Sequence, residues 1–382
     1  MLMVVWSILF VSAVAALLLQ HPFLTYPTSL RFLKRKPDFQ PNPAAPLPSV
    51  SILCCCHNEE AVIEQKIRTT LESLKPFGDL GEALFYLDAC SDRTEELARQ
   101  FGDQVTVIAS PERSGKSVGM ATLSARARGE IFILTDANTF SAPEAIQKLA
   151  ETFADPTVGC ASARLLYDNS GDNDVTAISS GYWQFEERLK ALETERAGTT
   201  VSADGGLFAL RRTLYKPAAP AVIDDMFTSI NTVFAGYRLV SRPEALAYEK
   251  TATELGDELR RKVRIACRAF NCFRLVRPQI HARGPLFTYQ FYSHKVIRWF
   301  AFPLLMLFGL SAWLVILLTI GWPVAVMLAL IALLMAAGGF AGLPGLALIA
   351  KAIRSTSATF GGVILSLRGV KFQTWNSAAS GR

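Results

Sequence analysis

Apolar positions along this chain fall into three regimes. Residues 1–19 carry no charge and are almost wholly apolar. At about 20 residues per crossing, such a run spans a bilayer as a helix. A basic cluster follows it (Arg31, Lys34, Arg35, Lys36), and no lysine or arginine precedes it. That asymmetry predicts an uncleaved anchor with its N-terminus outside, in preference to a removed signal peptide. The proline-rich residues 37–48 predict an extended linker.

From residue 50 the apolar runs shorten and alternate with stretches at helical spacing. Residues 50–56 read as a strand that ends in His57-Asn58-Glu59-Glu60. Val62, Ile63, Ile67, Leu71 and Leu74 then mark a helix over 61–74. A second strand at 84–87 ends in Asp88, with Ser91-Asp92-Arg93-Thr94 leading into a helix at 95–101. A third at 105–109 runs toward Arg113-Ser114-Gly115-Lys116, before a helix at 117–127. Ile131-Phe132-Ile133-Leu134 is a fourth, and it ends abruptly in Thr135-Asp136-Ala137-Asn138. Strands alternating with helices, each with polar residues at its carboxyl end, predict a parallel, nucleotide-binding α/β sheet.

Further strands are expected at 160–166, 207–210 and 237–240, with helices at 182–192 and 226–235. Asp204-Gly205-Gly206 reads as a tight turn, and Asp224-Asp225 follows the apolar Ala221-Val222-Ile223. Residues 299–320 and 323–340 are again uncharged, and Gly321-Trp322-Pro323 between them allows a hairpin. Residues 355–367, flanked closely by charge, are expected to be interfacial or re-entrant. Three spans put the central domain and the tail on the positive, cytoplasmic side of an inner membrane.

Composition sharpens this picture. The chain is 51% hydrophobic and 19% charged, with a mean hydropathy of +0.26, and the apolar excess sits at its two ends. A net charge of +6 suits an anionic membrane face or phosphorylated substrates and does not point to nucleic acid. The seven cysteines form no CxxC pair, and consecutive Cys54, Cys55 and Cys56 alternate faces of a strand. They are expected to be small buried residues of a reducing compartment.

The polar clusters narrow the chemistry. Asp136 with Asn138 two residues on, at a strand's carboxyl end, suits a hard divalent cation that also holds a phosphate. The structural alternative is that Asp136 closes a turn or caps the next helix. Ser114-Gly115-Lys116-Ser117 resembles the end of a P-loop, but the required upstream glycine is Ser110. Lys116 is left as a point charge for a phosphate or as a solvated lysine. Asp88 is placed to accept from a base or ribose, whereas Asp92 and Thr94 read as helix caps. Asp225, partly desolvated after an apolar run, is the candidate general base. Capping of the next helix by Asp224 and Asp225 is the alternative. Arg261, Arg264 and Arg268 share one helical face, fit for lipid phosphates or a diphosphate. Tyr182, Trp183 and Glu186 offer an aromatic, acidic surface of the kind sugars stack against.

Assembled in order, these motifs resemble a membrane-bound family 2 glycosyltransferase of the polysaccharide synthase-like branch. The resemblance runs from about residue 48 to 299 and takes in Ser293-His294-Lys295 before Arg298-Trp299. It implies a GT-A fold, a Rossmann-like mixed sheet flanked by helices, with membrane helices at both ends. Carried onto this chain, Cys55, His57, Glu59 and Asp88 line the base and ribose pocket, and Lys116 lies near the diphosphate. Asp136 and Asn138 hold Mg²⁺ or Mn²⁺, Asp225 is the catalytic base, and Arg261 and Arg264 lie over the diphosphate. Asp204 and Asp224 complete the substrate-binding set. The implied reaction is inverting, hexosyl-type transfer from a nucleotide sugar, UDP-linked foremost, to a glycan or lipid-linked acceptor. Membrane lipids and polysaccharide export proteins are the further partners it implies.

Two departures from the family pattern matter. The second Asp of Asp-x-Asp is Asn138, a neutral oxygen ligand. The Gln-x-x-Arg-Trp motif of processive synthases is replaced by Arg261-Lys262-Val263-Arg264-Ile265. Single-sugar addition is therefore expected as much as processive synthesis. The expected organisation is an anchor at 1–20, a linker at 21–48, a catalytic domain at 49–290, two spans at 291–342, and an interfacial segment with a basic tail at 343–382. The rival is a non-catalytic, membrane-anchored nucleotide-sugar or nucleotide binding module. A transporter is disfavoured because neither long C-terminal apolar run holds an ionisable residue.

Overall fold

The computed structural model describes residues 1–36, 45–169, 174–250, 253–343 and 345–374. Residues 37–44 of the expected linker and 375–382 of the tail lie outside them. Eight strands form one mixed sheet, ordered β3-β2-β1-β4-β7-β6-β8-β5. They are β1 (Val50–Cys56), β2 (Gly81–Asp88), β3 (Thr106–Ser110), β4 (Ile131–Asp136), β5 (Thr139–Ser141), β6 (Val158–Tyr167), β7 (Leu207–Arg211) and β8 (Arg238–Glu249). Strands β3, β2, β1 and β4 are parallel, as their alternation with helices predicts. Beyond them β7 runs antiparallel to both β4 and β6, while β6 and β8 pair in parallel.

Every residue of β1 is buried, because both faces of the sheet are covered. Ile52, Cys54 and Cys56 point into one core, toward α3 (Ile63–Leu74) and α6 (Ala145–Glu151). Leu53 and Cys55 point into the other, toward α5 (Lys116–Arg126), α8 (Asp224–Phe234) and α9 (Leu255–Ala282). All seven cysteines are free thiols, and Cys54, Cys55 and Cys56 are buried, as their alternation implies. Helix α4 (Thr94–Arg99) follows β2, and the long α7 (Asp174–Ala197) follows β6.

Strand β8 corrects the sequence reading, which stopped it at residue 240. Pro243 and the charged residues around it hide the continuation, where β8 shifts register against β6 between Ala163 and Arg164. Such an irregularity lets a proline sit within a strand. The extension carries the chain on to Glu249 beside the site.

Helices α1 (Leu2–Gln20), α12 (Ala301–Thr319) and α13 (Trp322–Phe340) are each long and apolar enough to cross a membrane. The short α2 (Thr25–Leu30) connects α1 to the domain. On the other side, α10 (Pro285–Phe291), a π turn (Tyr292–Val296) and α11 (Ile297–Trp299) lead into α12. The segment expected to be interfacial is part of a longer helix, α14 (Leu346–Leu367), which lies along α9. Gly362 lets the two approach, for a Cβ there would stand 2.5 Å from the Val263 carbonyl oxygen.

Candidate active site

Strand β4 ends at Asp136, and its Oδ1 accepts a hydrogen bond from Lys116 Nζ at 2.7 Å. Lys116 opens α5 and also reaches Asp224 Oδ2 at 2.9 Å. Asp224 and Asp225 are the first two residues of α8. The Asp204-Gly205-Gly206 turn runs between these elements. A Cβ on Gly205 would lie 2.9 Å from Asp225 Oδ2, 3.5 Å from Asp136 Oδ2 and 3.6 Å from Lys116 Nζ. Three groups from distant parts of the chain therefore border one hollow, kept open by the missing side chain. Lys116 is not a solvated lysine; its side chain is 13% exposed.

The electrostatics divide the two adjacent carboxylates. Burial works against Asp224, but Lys116 and then Arg268 outweigh it and hold its carboxyl below the usual range. Burial, then the Asp224 charge, push the Asp225 carboxyl up to about 7. Its Oδ1 accepts from the Met226 N–H at 2.6 Å, and its Oδ2 is the atom nearest Gly205. Burial opposes the charge on Lys116, but Asp136, Asp224 and Asp225 raise its pKa well above the ordinary value. One carboxyl stays ionised while its neighbour titrates near neutrality, a division suited to base chemistry.

The guanidinium row of α9 faces this cluster. Arg268 Nη2 donates to the Val222 carbonyl at 2.7 Å and lies 3.8 Å from Asp224. Arg261 is 3.6 Å from Glu249, which also accepts from Asn138 Nδ2 at 3.1 Å. Arg264, between them, has no carboxylate within ion-pair distance among the described residues. Burial, then repulsion from Arg261 and Arg268, push its guanidinium down to about 10. The amide of Asn138 is thus tied to β8.

The expected base and ribose residues gather at the ends of β1 and β2. Asp88 is fully buried, its carboxylate accepting from the Ser114 N–H at 2.7 Å and the Gly115 N–H at 3.0 Å. His57 packs its Nδ1 2.7 Å from the Asp88 carbonyl, and its other nitrogen touches Arg113. Glu59 is buried, and its N–H donates to Thr94 Oγ1 at 2.7 Å. Cys55 Sγ lies 3.7 Å from the Lys116 carbonyl. Asp204 pairs with the fully buried Lys190 of α7. Asp92 Oδ1 accepts from the Thr94 N–H at 3.0 Å ahead of α4. Thr94 does not cap: it is the first residue of the helix, and its hydroxyl is held by the Glu59 N–H and Asp92.

Three residues that the sequence reading did not single out shape the site, Lys66, Lys190 and Glu249, and Arg268 of the expected guanidinium row joins them through Asp224. Lys66 of α3 is 3% exposed, and its Nζ donates to Thr135 Oγ1 at 2.8 Å and to the Thr139 carbonyl. It braces from behind the turn that presents Asp136 and Asn138. The signal for Lys66 was present, as it lies beside Ile63 and Ile67 on the inward face of α3. Glu249 lay past the proline of β8, and nothing in the local pattern marks Lys190.

Asp136 is the carboxylate that borders the hollow, and Asn138 stands two residues on. Among the described residues, no three His, Cys, Asp or Glu side chains converge as a metal site. That sparse donor set fits a divalent cation completed by phosphate oxygens and water, not one caged by protein alone.

A mixed sheet of this order, with acidic and basic side chains meeting at its carboxyl edge, is a GT-A glycosyltransferase fold. Residues 51–217 match the model of glycosyl transferase family 2, and this segment belongs to that family. The chain is similar to an N-acetylglucosaminyltransferase of Rhizobium leguminosarum bv. viciae, 24% identical over 297 residues, covering 71% of this chain and 69% of that protein. It is also similar to the beta-monoglucosyldiacylglycerol synthase of a Synechocystis species, 27% identical over 197 residues, covering 49% of this chain and 41% of that protein. Among solved structures, a mannosyltransferase from Pyrobaculum calidifontis in complex with GDP-Man and Mn²⁺ superposes with a TM-score of 0.69 at 23% identity. That match covers 94% of this chain and all of the other. The family match thus covers the sheet from β1 through β7, and the GT-A fold extends over the chain.

Proposed function

We propose that the protein transfers one sugar, with inversion, from a nucleoside diphosphate donor to an acceptor hydroxyl at the cytoplasmic face of a membrane. The observation that carries this is the hollow at Gly205, bordered by Asp225, Asp136 and Lys116. Asp225 takes the proton of the acceptor hydroxyl as its oxygen attacks the anomeric carbon. Asp224, held ionised by Lys116 and Arg268, favours that proton on its neighbour. Lys116 and Arg264 balance the charge gathering on the departing diphosphate. Asp136 and Asn138 would hold Mg²⁺ or Mn²⁺, which supplies Lewis-acid stabilisation of that leaving group when bound. Cys55, His57 and Glu59 line the base and ribose pocket, Asp88 shapes it by holding the Ser114 and Gly115 N–H groups, and Arg261 steadies Glu249 beside Asn138.

The three apolar helices support a membrane-seated acceptor, either a growing cell-surface glycan or a lipid. The relatives' names, an N-acetylglucosaminyltransferase and a beta-monoglucosyldiacylglycerol synthase, make N-acetylglucosamine and glucose the first sugars to try. The test uses the full-length protein in lipid nanodiscs with Mn²⁺, a panel of UDP- and GDP-sugars, and a membrane lipid extract as acceptor. At least one donor is expected to yield its nucleoside diphosphate, and Asp225→Asn to lower that yield by roughly 100-fold or more. A wild-type protein that binds donors without turning any over would instead be the binding module. Undiminished turnover in Asp225→Asn would remove the assigned base.

A further inference from the structure

Helix α7 carries a polar patch that the donor and base residues leave unused. Glu187 is 4% exposed; its Oε1 accepts from Lys190 Nζ at 2.7 Å, its Oε2 is buried without a donor, and its carboxyl meets that of Asp204. One turn earlier, the indole nitrogen of Trp183 is also buried without a partner. The Trp183 ring leans on Tyr167, centroid to centroid 5.8 Å. Residues four apart on a helix share a face, so the indole N–H and the Glu187 carboxyl lie on one side of α7. Buried polar atoms without partners are costly and ask for a ligand or water to satisfy them.

The patch is wired to the catalytic turn. Lys190, fully buried, bridges Glu187 to Asp204, and the next residue is Gly205, at the hollow beside Asp225. Two carboxylates share the Lys190 ammonium there, and the Lys295 ammonium also acts on Asp204. Burial, only partly offset by Lys190, pushes the Glu187 carboxyl up to about 7. Strand order sets the direction. The base and ribose residues end β1 and β2, Asp136 ends β4, the Gly205 turn precedes β7, and α7 follows β6. The patch thus lies on the side of the catalytic turn away from the nucleotide.

We propose that Glu187 and Trp183 form an acceptor subsite for a sugar ring, binding hydroxyls next to the one that Asp225 deprotonates. A pyranose suits it because each hydroxyl both donates and accepts, and the apolar ring face packs on an indole. This rests on the transferase reading above, with Asp225 as base.

The test measures binding and turnover separately, with full-length protein in nanodiscs. Calorimetry follows a panel of p-nitrophenyl glycosides (glucose, N-acetylglucosamine, mannose, galactose) titrated into protein preloaded with UDP or GDP and Mn²⁺. Wild type is expected to bind at least one glycoside, and Glu187→Gln and Trp183→Phe each to weaken it about tenfold or more. Acceptor-free release of nucleoside diphosphate from the best donor is expected to stay within about twofold of wild type in both variants. Trp183→Phe keeps the ring against Tyr167, so a defect there reports the N–H and not lost packing. Absence of glycoside binding to wild type, or unchanged binding by both variants, overturns the subsite. A parallel loss of acceptor-free release also overturns it, assigning the pair to the donor or to folding. Failure of the transferase reading shows instead as wild type binding a glycoside while releasing no diphosphate.

Discussion

Gly205→Ala separates the hollow from the rest of the fold. Gly205 is not among the glycines with positive φ, so alanine meets no backbone obstacle. The added methyl carbon would sit 2.9 Å from Asp225 Oδ2, where ordinary contact begins at 3.4 Å. Asp225 must move by about 0.5 Å, and the space between it and Asp136 fills. A misplacement of about 1 Å in a reacting group costs around 100-fold. Half that shift, with the lost space, predicts a fall in kcat of roughly 10- to 100-fold. Stability is expected to hold, since alanine at a compatible backbone position is neutral or stabilising by about 0.4–1 kcal/mol. Nucleoside diphosphate release gives the rate, thermal unfolding in nanodiscs the stability, and metal-free UDP binding the distant pocket. If Gly205→Ala turns over within twofold of wild type while Asp225→Asn is dead, the hollow is not where the chemistry occurs.

Three further perturbations follow. Lys66→Met should keep α3 packed but release the Thr135–Thr139 turn, raising the Mn²⁺ needed for half-maximal activity by roughly tenfold or more; saturating Mn²⁺ should restore most of the rate, and an unchanged Mn²⁺ titration would count against the brace. Asp225, pushed up to about 7 by burial and Asp224, must be deprotonated to act, so kcat/KM should climb with pH up to about that value and then flatten. The folded state also holds this proton more tightly than an unfolded carboxyl at about 3.9, so the group's stabilisation is full below that value and lost as pH rises through 7. Asp225→Asn should accordingly unfold at a higher temperature than wild type at pH 8, with the gap closing near pH 4. Glu186→Gln should destabilise the domain by roughly 3 kcal/mol or more, because buried Glu186 faces His294 at 2.7 Å, Lys295 at 2.6 Å and Arg298 at once; denaturant titration reads it, and a loss under about 1 kcal/mol would make that hub peripheral.

Much of this architecture is legible in the chain because hydrophobic period and strand-end polarity both report it. The limits of β1, and the order in which Asp88, Lys116 and Asp136 arrive at the sheet edge, follow from apolar runs ending in polar residues. What the pattern hides is partnership. Lys190 looks like an ordinary helix cation, and Arg268 like one more phosphate contact of its row, until the fold sets Asp204 and Asp224 against them. Glu186, read from sequence as a sugar-stacking surface, is instead the centre of a buried ion cluster joining α7 to the π turn before α12. Its partners lie more than a hundred residues away, beyond any local periodicity.

The cations of the site divide by whether the empty protein satisfies them, and that division explains how a donor would be gripped. Lys116 is shared among acids, Arg268 lies near Asp224, and Arg261 lies near Glu249. Arg264 is flanked by like charges, and with burial they weaken its hold on its own proton. A diphosphate arriving there relieves that repulsion, so the interaction is strongest when phosphate charge is greatest. That is the moment the anomeric bond breaks, and a contact that strengthens along the reaction lowers its barrier more than its ground state. On the proposed reading, a row of three arginines with its middle member unpaired would favour the leaving group over the intact donor, whichever sugar the donor carries.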